Sequence, residues 1–138
     1  MNKKYSKDFD TWNVTKKEIN ISNNKPFFNE REIWWCSIGI NIDIEMDGKS
    51  DFYERPILII KKINNQSALI APIISRNKDN AYIYPLTTIP SFISISQMRT
   101  ISVKRLLRKE LRISVDEFAQ IIIRIKHLLT FYNETTTQ

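Results

Sequence analysis

His127 and Cys36 are the only histidine and the only cysteine in 138 residues, and that scarcity removes most catalytic chemistries. Binding Zn²⁺ takes three or four Cys, His or acidic ligands at short spacing, which one Cys and one His cannot supply. Gly39 and Gly48 are the only glycines, so there is no glycine-rich phosphate loop and no dinucleotide fingerprint. A Ser-His-Asp or Cys-His arrangement would have to recruit His127 from the last turns of a terminal helix, where a surface or capping histidine is the ordinary reading. Cys36, in a Trp-Cys-Ser setting, reads as a small buried or half-buried side chain rather than a nucleophile.

Metal-free cleavage of RNA survives this elimination. The ribose 2′-OH is an internal nucleophile, so a protein need only position it, move protons and stabilise negative charge on phosphorus. An arginine at a strand end, flanked by hydroxyls and carboxylates, meets much of that demand. Glu54-Arg55-Pro56 has this form where a long loop enters a strand, and Pro56 suits a first strand residue because it has no N–H to donate. On chemistry alone, an ordinary surface cation is the plainer reading of Arg55.

The net charge of +6 and pI near 9.5 fit a polyanionic partner, because lysine and arginine release condensed counterions when they neutralise phosphates. A lysine-rich chain shaped by codon bias fits equally well. Lys104, Arg105, Arg108, Lys109 and Arg112 fall within one short segment, and alternation would line several along one edge. Such a patch suits a phosphate backbone, an acidic partner peptide or solvent. Tyr53, Trp34 and Trp35 offer stacking surfaces for unpaired bases, with at least one Trp expected in the core.

The elements that position these groups follow from the apolar pattern. Residues 1–26 read as an N-terminal arm with a short helix from Asp8 to Ile19, on which Phe9, Trp12 and Ile19 loosely share a side. Ile21 to Pro26 is a polar connector. Residues 27–132 read as one small barrel or sandwich, and 133–138 as a polar tail. Strands are expected at Glu32–Ile38, Pro56–Ile63, Ala68–Ile74, weakly at Ala81–Leu86, and at Phe92–Gln97, where Ile93 and Ile95 alternate with Ser94 and Ser96. The Asp43–Glu54 gap carries turn residues and charge, and a loop that long between strands is more often functional than idle. Ser114-Val-Asp-Glu117 predicts a capping box, followed by a helix to about Phe131 that buries Phe118, Ile121, Ile122, Ile125 and Leu128. The N-terminus has charge but no apolar run, and no stretch approaches the roughly 18 apolar residues of a membrane span. A cytoplasmic protein without membrane contact is expected.

With these segments in order, Arg31-Glu-Ile-Trp-Trp-Cys-Ser-Ile-Gly39 is similar to the opening strand of the MazF/PemK toxin family. Glu45-Met-Asp-Gly48 and then Glu54-Arg55-Pro56-Ile-Leu-Ile-Ile60 resemble its glutamate-bearing loop and its Arg-Pro-aliphatic strand. Ala71-Pro-Ile-Ile-Ser75 lies where members carry a strand ending in Thr-Ser, Gln97-Met-Arg99-Thr-Ile101 resembles the Gln-x-Arg-x-Ile segment, and Lys104-Arg-Leu matches the basic stretch after it. No one motif decides the matter, but their order and spacing agree from Arg31 to Leu129.

The resemblance implies a mainly β (α+β) fold, an SH3-like small barrel with a C-terminal helix, here with a short N-terminal helical arm. It implies a homodimer and a cognate antitoxin that occludes the RNA groove. It also implies cleavage of single-stranded RNA at short sequences to 2′,3′-cyclic phosphate and 5′-hydroxyl ends, without cofactor or metal. By position, Arg55 and Ser75 are the catalytic candidates. Glu45, Ser96, Gln97, Arg99, Lys104 and Arg105 are the substrate-binding ones. Three positions depart from the family: Ile74 replaces the catalytic threonine, Ile44 a histidine found in some members, and Ser96 an acidic residue. They keep a second reading open, in which a catalytically degenerate member binds RNA or antitoxin or regulates its own promoter.

Overall fold

The computed structural model describes residues 5–77 and 81–131; the tail expected at 133–138 lies outside the described residues. In chain order the elements are α1 (Phe9–Ile21), β1 (Glu32–Ser37), β2 (Glu54–Asn64), β3 (Ser67–Ile74), β4 (Ile83–Pro85), β5 (Phe92–Ser94), β6 (Arg99–Ser102), β7 (Leu106–Arg112) and α2 (Val115–Leu129). One 3₁₀ turn, Ile95–Gln97, separates β5 from β6, and another, Val103–Arg105, separates β6 from β7. All strand pairings are antiparallel.

The pairing order forces curvature. In the sheet β6 flanks β3, followed by β2, β1 and β7, so in a flat sheet β6 and β7 would lie four spacings apart, about 19 Å. Yet the three-residue turn Val103–Arg105 joins them directly, and that connection reaches at most about 14 Å even when fully extended. The sheet therefore curls until its edges approach. Among the described residues β6 and β7 form no ladder, so the result is an open SH3-like barrel of seven strands.

Curling gives the sheet an inside and an outside, and both are buried. Along β2, Ile57 and Ile59 pack inside with Trp34, Cys36, Ile70 and Leu106. Leu58 and Ile60 pack outside with Ile33, Ala71, Ile73 and Ile93. This is why β2 reads as an unbroken apolar run instead of alternating. Helix α2 covers the outer layer with buried Ile121 and Ile125, assisted by the half-buried Phe118, Ile122 and Leu128.

The capping box forms by half. Glu117 N–H donates to Ser114 Oγ at 3.1 Å, but the Glu117 carboxylate turns away and accepts from Thr87 N–H and the Thr88 amide and hydroxyl. Burial pushes this carboxyl up, yet the donors from Thr88 and Thr87 outweigh it and leave it below its ordinary value. The glutamate thus fastens the β4–β5 connection to the helix.

The single strand expected over Phe92–Gln97 is instead a short strand and a turn. Ile93 pairs with Ile73 and Arg99 with Ile70 along the same edge of β3. Six residue steps on one strand face three on the other, and the surplus is taken up in the turn Ile95–Gln97. Pro72 of β3 lies opposite this break, where its missing N–H costs no ladder bond on that edge. Ser94, expected on the same face as Ser96, is buried while Ser96 is exposed. The ladder of Leu106–Arg112 with β1 is a strand that the charged sequence hid.

Candidate functional site

Arg55 is the second residue of β2, on the face that Ile57 buries, at the mouth of the barrel. In the β2–β3 register Ile57 faces Pro72, and two further steps bring Arg55 beside Ile74. Its guanidinium is half-buried beneath the Ile38–Tyr53 loop. Nε donates to the Asp47 carbonyl at 2.8 Å and Nη1 makes a long 3.5 Å contact with the Ile73 carbonyl. Burial lowers the Arg55 pKa, and the charges of Asp47 and Tyr5 oppose that shift. A guanidinium stays charged regardless, and Nη2 is left for an anion.

The loop that seats Arg55 is folded by backbone conformations that few residues adopt. Asp43, Ser50 and Tyr53 have φ of 50°, 67° and 53°, in a region that carries a steric cost for side chains. They are held by close backbone contacts: the Tyr53 carbonyl accepts from both Ile38 and Gly39 N–H, and Gly48 N–H donates to the Gly39 carbonyl at 2.9 Å. A methyl on Gly48 would lie 1.7 Å from the Tyr53 oxygen, so only glycine fits. Strain concentrated in one loop of a small barrel is a mark of a functional segment.

Three adjoining concavities meet around this loop. The first is lined by Arg55, Lys49, Ile74, Ser75, Ser91 and Trp35, the second by Arg55, Lys49, Glu45, Asp47, Tyr5 and Lys7, and the third by Glu45, Met46, Ser96, Gln97, Pro72 and Arg99. Arg55 and Lys49 belong to the first two, and Glu45 and Met46 to the last two, so together they make one continuous groove. It unites Arg55, Ser75, Glu45, Ser96, Gln97 and Arg99 from remote parts of the sequence.

Their environments differ. Ser75 is exposed at the end of β3. Glu45 Oε1 accepts from Ile42 N–H at 2.9 Å, a local bond that leaves Oε2 open. Gln97 is a clamp: its Oε1 accepts from Met46 N–H at 3.1 Å and its Nε2 donates to the Ile44 carbonyl at 3.2 Å. The Arg99 guanidinium makes no hydrogen bond or ion pair among the described residues. Ile74 is 5% exposed, with its side chain at the wall of the first concavity.

Lys104 and Arg105 are elsewhere. They line a separate cleft against α1, where Lys104 Nζ donates to the Asn20 carbonyl and Arg105 Nη1 to the carbonyls of Ser37 and Ile38. The five late cations form no common edge, because Arg108 pairs with Glu54 and Lys109 with Glu32. Trp34 is core at 6% exposure, and Tyr53 packs edge-on against Trp12 at 5.1 Å. Of these three aromatics that leaves Trp35 on the groove, half-buried, with Arg108 4.9 Å over its ring. Cys36 lies wholly in the core, where burial pushes its thiol up to about 12, so it is no nucleophile.

Three groove residues escaped the sequence reading. Lys49 is exposed in the concavities on both sides of Arg55; its backbone bridges to Glu54, and its ammonium has no partner among the described residues. Tyr5 and Lys7 come from the arm: Tyr5 Oη donates to Asp47 Oδ2 at 2.6 Å, and Lys7 Nζ donates to the Asn41 and Asp43 carbonyls and pairs with Asp47 at 3.4 Å. Burial, the hydrogen bond to Asp47 and the charge of Asp47 push the Tyr5 phenol up to about 12, against Arg55. Nothing in the local sequence of the arm marks these contacts; only Lys49, between Gly48 and Glu54-Arg55, had a signal in its position.

The sequence model of the PemK-like, MazF-like toxins of type II toxin–antitoxin systems matches residues 29–129. The chain belongs to this family. Solved structures agree in fold. A Mycobacterium tuberculosis toxin, MazF-mt6, is 19% identical, with a TM-score of 0.53 over 70% of this chain and 94% of its own. The MazE–MazF structure from Deinococcus radiodurans matches at 13% identity and TM-score 0.56, over 78% of this chain and 100% of the other. A mycobacterial endoribonuclease in complex with its cognate antitoxin matches at 7% identity and TM-score 0.57, over 77% and 100%. No curated protein matches in sequence. MazF/PemK toxins are generally endoribonucleases, and the matched span begins after α1.

Proposed function

We propose that this MazF/PemK toxin is a metal-independent endoribonuclease that binds single-stranded RNA along the groove and cuts it beside Arg55. The observation that carries the reading is the convergence of Arg55, Lys49 and Ser75 on one open concavity in a chain of this family. The 2′-oxygen bonds to phosphorus, the P–O5′ bond breaks, and the products are a 2′,3′-cyclic phosphate and a 5′-hydroxyl. Charge builds on the non-bridging oxygens in between, where the planar fork of Arg55 and the ammonium of Lys49 oppose it. The Ser75 hydroxyl helps carry the proton that the 2′-oxygen loses and O5′ gains. Glu45, Ser96 and Arg99 line the path of the flanking nucleotides, and Gln97 holds the loop over it. The partners are RNA, a cognate antitoxin that covers the groove, and a second copy of the chain.

Ile74 favours a second reading. An apolar wall where the family places its catalytic hydroxyl suits a member that binds RNA or antitoxin without cutting. Incubating the purified protein with a mixed single-stranded RNA pool and excess EDTA, then mapping the ends, separates the two. Cyclic phosphate and 5′-hydroxyl ends at short recurring sequences support the enzyme. Bound but intact RNA supports the binding module.

A further inference from the structure

The chain's excess positive charge is not concentrated where the cleavage chemistry is. Asp43, Glu45, Asp47, Glu54 and Glu110 all line the concavities around Arg55. The cleft between α1 and the turn Val103–Arg105 has no carboxylate in its lining. It presents Lys16 and Lys17 from α1 with Lys104 and Arg105 from the barrel, and Ser102 and Lys104 lead on into an adjoining hollow lined by Lys25, again without an acid. The ammonium groups of Lys16, Lys17 and Lys25 make no hydrogen bond or ion pair among the described residues. Unneutralised like charges gathered along one trough raise the local potential and call for an anion.

The arm is bound in place as one wall of this trough. Trp12 is 5% exposed, seated over Gly39, with the Arg105 guanidinium 5.8 Å from its ring. Asn24 Nδ2 donates to the Lys104 and Leu106 carbonyls at 3.2 and 2.8 Å. The trough also adjoins the groove. Arg105 Nη1 donates to the Ile38 carbonyl at 3.1 Å, Ile38 lines the third concavity, and the charge of Arg99 is felt at Arg105.

We propose that the α1 cleft is a second RNA site, which takes the phosphate backbone of a strand leaving the groove at its Arg99 end. The lining chooses nucleic acid over an acidic protein. Besides its basic residues the cleft offers Asn13, Asn20 and Ser102, and the adjoining hollow adds Gln66 and Thr100, side-chain types that position phosphates and sugars. The apolar members of both, the buried Trp12, Ile101 and Val103 and the half-buried Ile19, give no exposed anchor of the kind that centres a protein interface. The proposal rests on the groove being the RNA-cutting site, because the cleft holds a continuation of the same strand.

The test uses the full chain carrying Arg55→Ala, with and without Lys16→Gln and Lys17→Gln. Affinity is measured against salt for unstructured RNAs of about 20 and about 5 nucleotides, the shorter filling only one site. Two lost phosphate contacts should lower the slope of log affinity on log salt by about 1.4 for the long RNA and leave the short one unchanged. Cleavage of long RNA by the native chain should weaken on adding the two substitutions, with cleavage of the short RNA unaffected. An unchanged slope, an equal fall for both lengths, or lost polyglutamate binding with RNA binding intact would overturn the cleft. A native chain that cuts nothing, yet shows the lysine-dependent slope on long RNA, would overturn the cutting reading and leave the cleft as an RNA site.

Discussion

Arg55 donates its Nε–H to the backbone carbonyl of Asp47 at 2.8 Å, so the guanidinium and the Ile38–Tyr53 loop share one position. The Asp47 carboxylate in turn accepts from Asn41 N–H at 2.6 Å and from Tyr5 Oη at 2.6 Å. Arm, loop and candidate catalytic cation are therefore linked through one aspartate, and disturbing any of them moves the others.

The first consequence falls on Gln97, whose amide holds the same loop from the other side through Ile44 and Met46. Gln97→Ala removes both bonds. It should cost about 1–2 kcal/mol of stability and lower kcat/KM about tenfold by loosening the seat of Arg55. Urea unfolding and cleavage kinetics on one RNA check it; unchanged kinetics would make Gln97 a structural tie only.

Ile74 offers a gain of function. Ile74→Thr sets a hydroxyl beside Arg55 while keeping the β-branching that a strand favours. Because the site is 5% exposed, the substitution should cost about 1–2 kcal/mol in stability. Cleavage, or toxicity on expression, should nevertheless rise by about tenfold, whereas Ser75→Ala should lower it. A native enzyme that is already fast, with Ile74→Thr neutral and Ser75→Ala silent, would place the working hydroxyl elsewhere, Ser91 being the next in the same concavity.

Much of this fold was legible because burial writes periodicity into sequence. The two-sided core of β2, the aromatic run of β1 and the apolar stripe of α2 all follow from contacts that repeat along a strand or helix. The Phe92–Gln97 misreading has a different origin. The alternation of Ile and Ser was real, but the count of residues against β3 was set by pairing partners some twenty residues earlier in the chain. Strand β7 was hidden because its charged side chains are exposed or paired across to β1 and the start of β2, not patterned along their own segment. The basic cluster is divided for the same reason: Arg105, Arg108 and Lys109 each serve a different neighbour. Arg55 and Ser75 could be singled out by motif, but Lys49, Tyr5 and Lys7 enter the groove only through the loop and the arm.

Gly39 tests how the arm is held. It has φ +86°, and a methyl there would lie 2.2 Å from Trp12 Cζ2. Gly39→Ala should cost about 1–2 kcal/mol in backbone strain alone and displace Trp12 from its seat. The red shift of tryptophan fluorescence and a lowered Tm would register both, and a native-like spectrum would show that α1 is held by other contacts.

Glu32 predicts an acid-side dependence. Burial pushes its carboxyl up, but donors from Trp34 Nε1, Asn29 N–H and Lys109, together with the Lys109 charge, outweigh it and hold it below its ordinary value of 4.5. A group that binds its proton less tightly when folded stabilises the fold above about 4.5, and that contribution drains away as pH falls through the lowered folded value. Glu32→Gln should therefore cost about 1–3 kcal/mol at neutral pH and progressively less below pH of about 4. Unfolding curves of both proteins across that range check the sign; a gap that widens in acid would contradict it.

The most direct test of the central claim is the single-turnover cleavage rate of one mapped RNA site in EDTA, for the native chain, Arg55→Ala and Arg55→Lys. An arginine that neutralises charge on the phosphorane should make Arg55→Ala slower by a hundredfold or more, about 3 kcal/mol, against a stability loss of only about 1 kcal/mol for its bond to the Asp47 carbonyl. Lysine should restore little, because it lacks the planar fork. Cleavage by Arg55→Ala at the native rate, or a native rate that vanishes in EDTA and returns with Mg²⁺, would contradict the account.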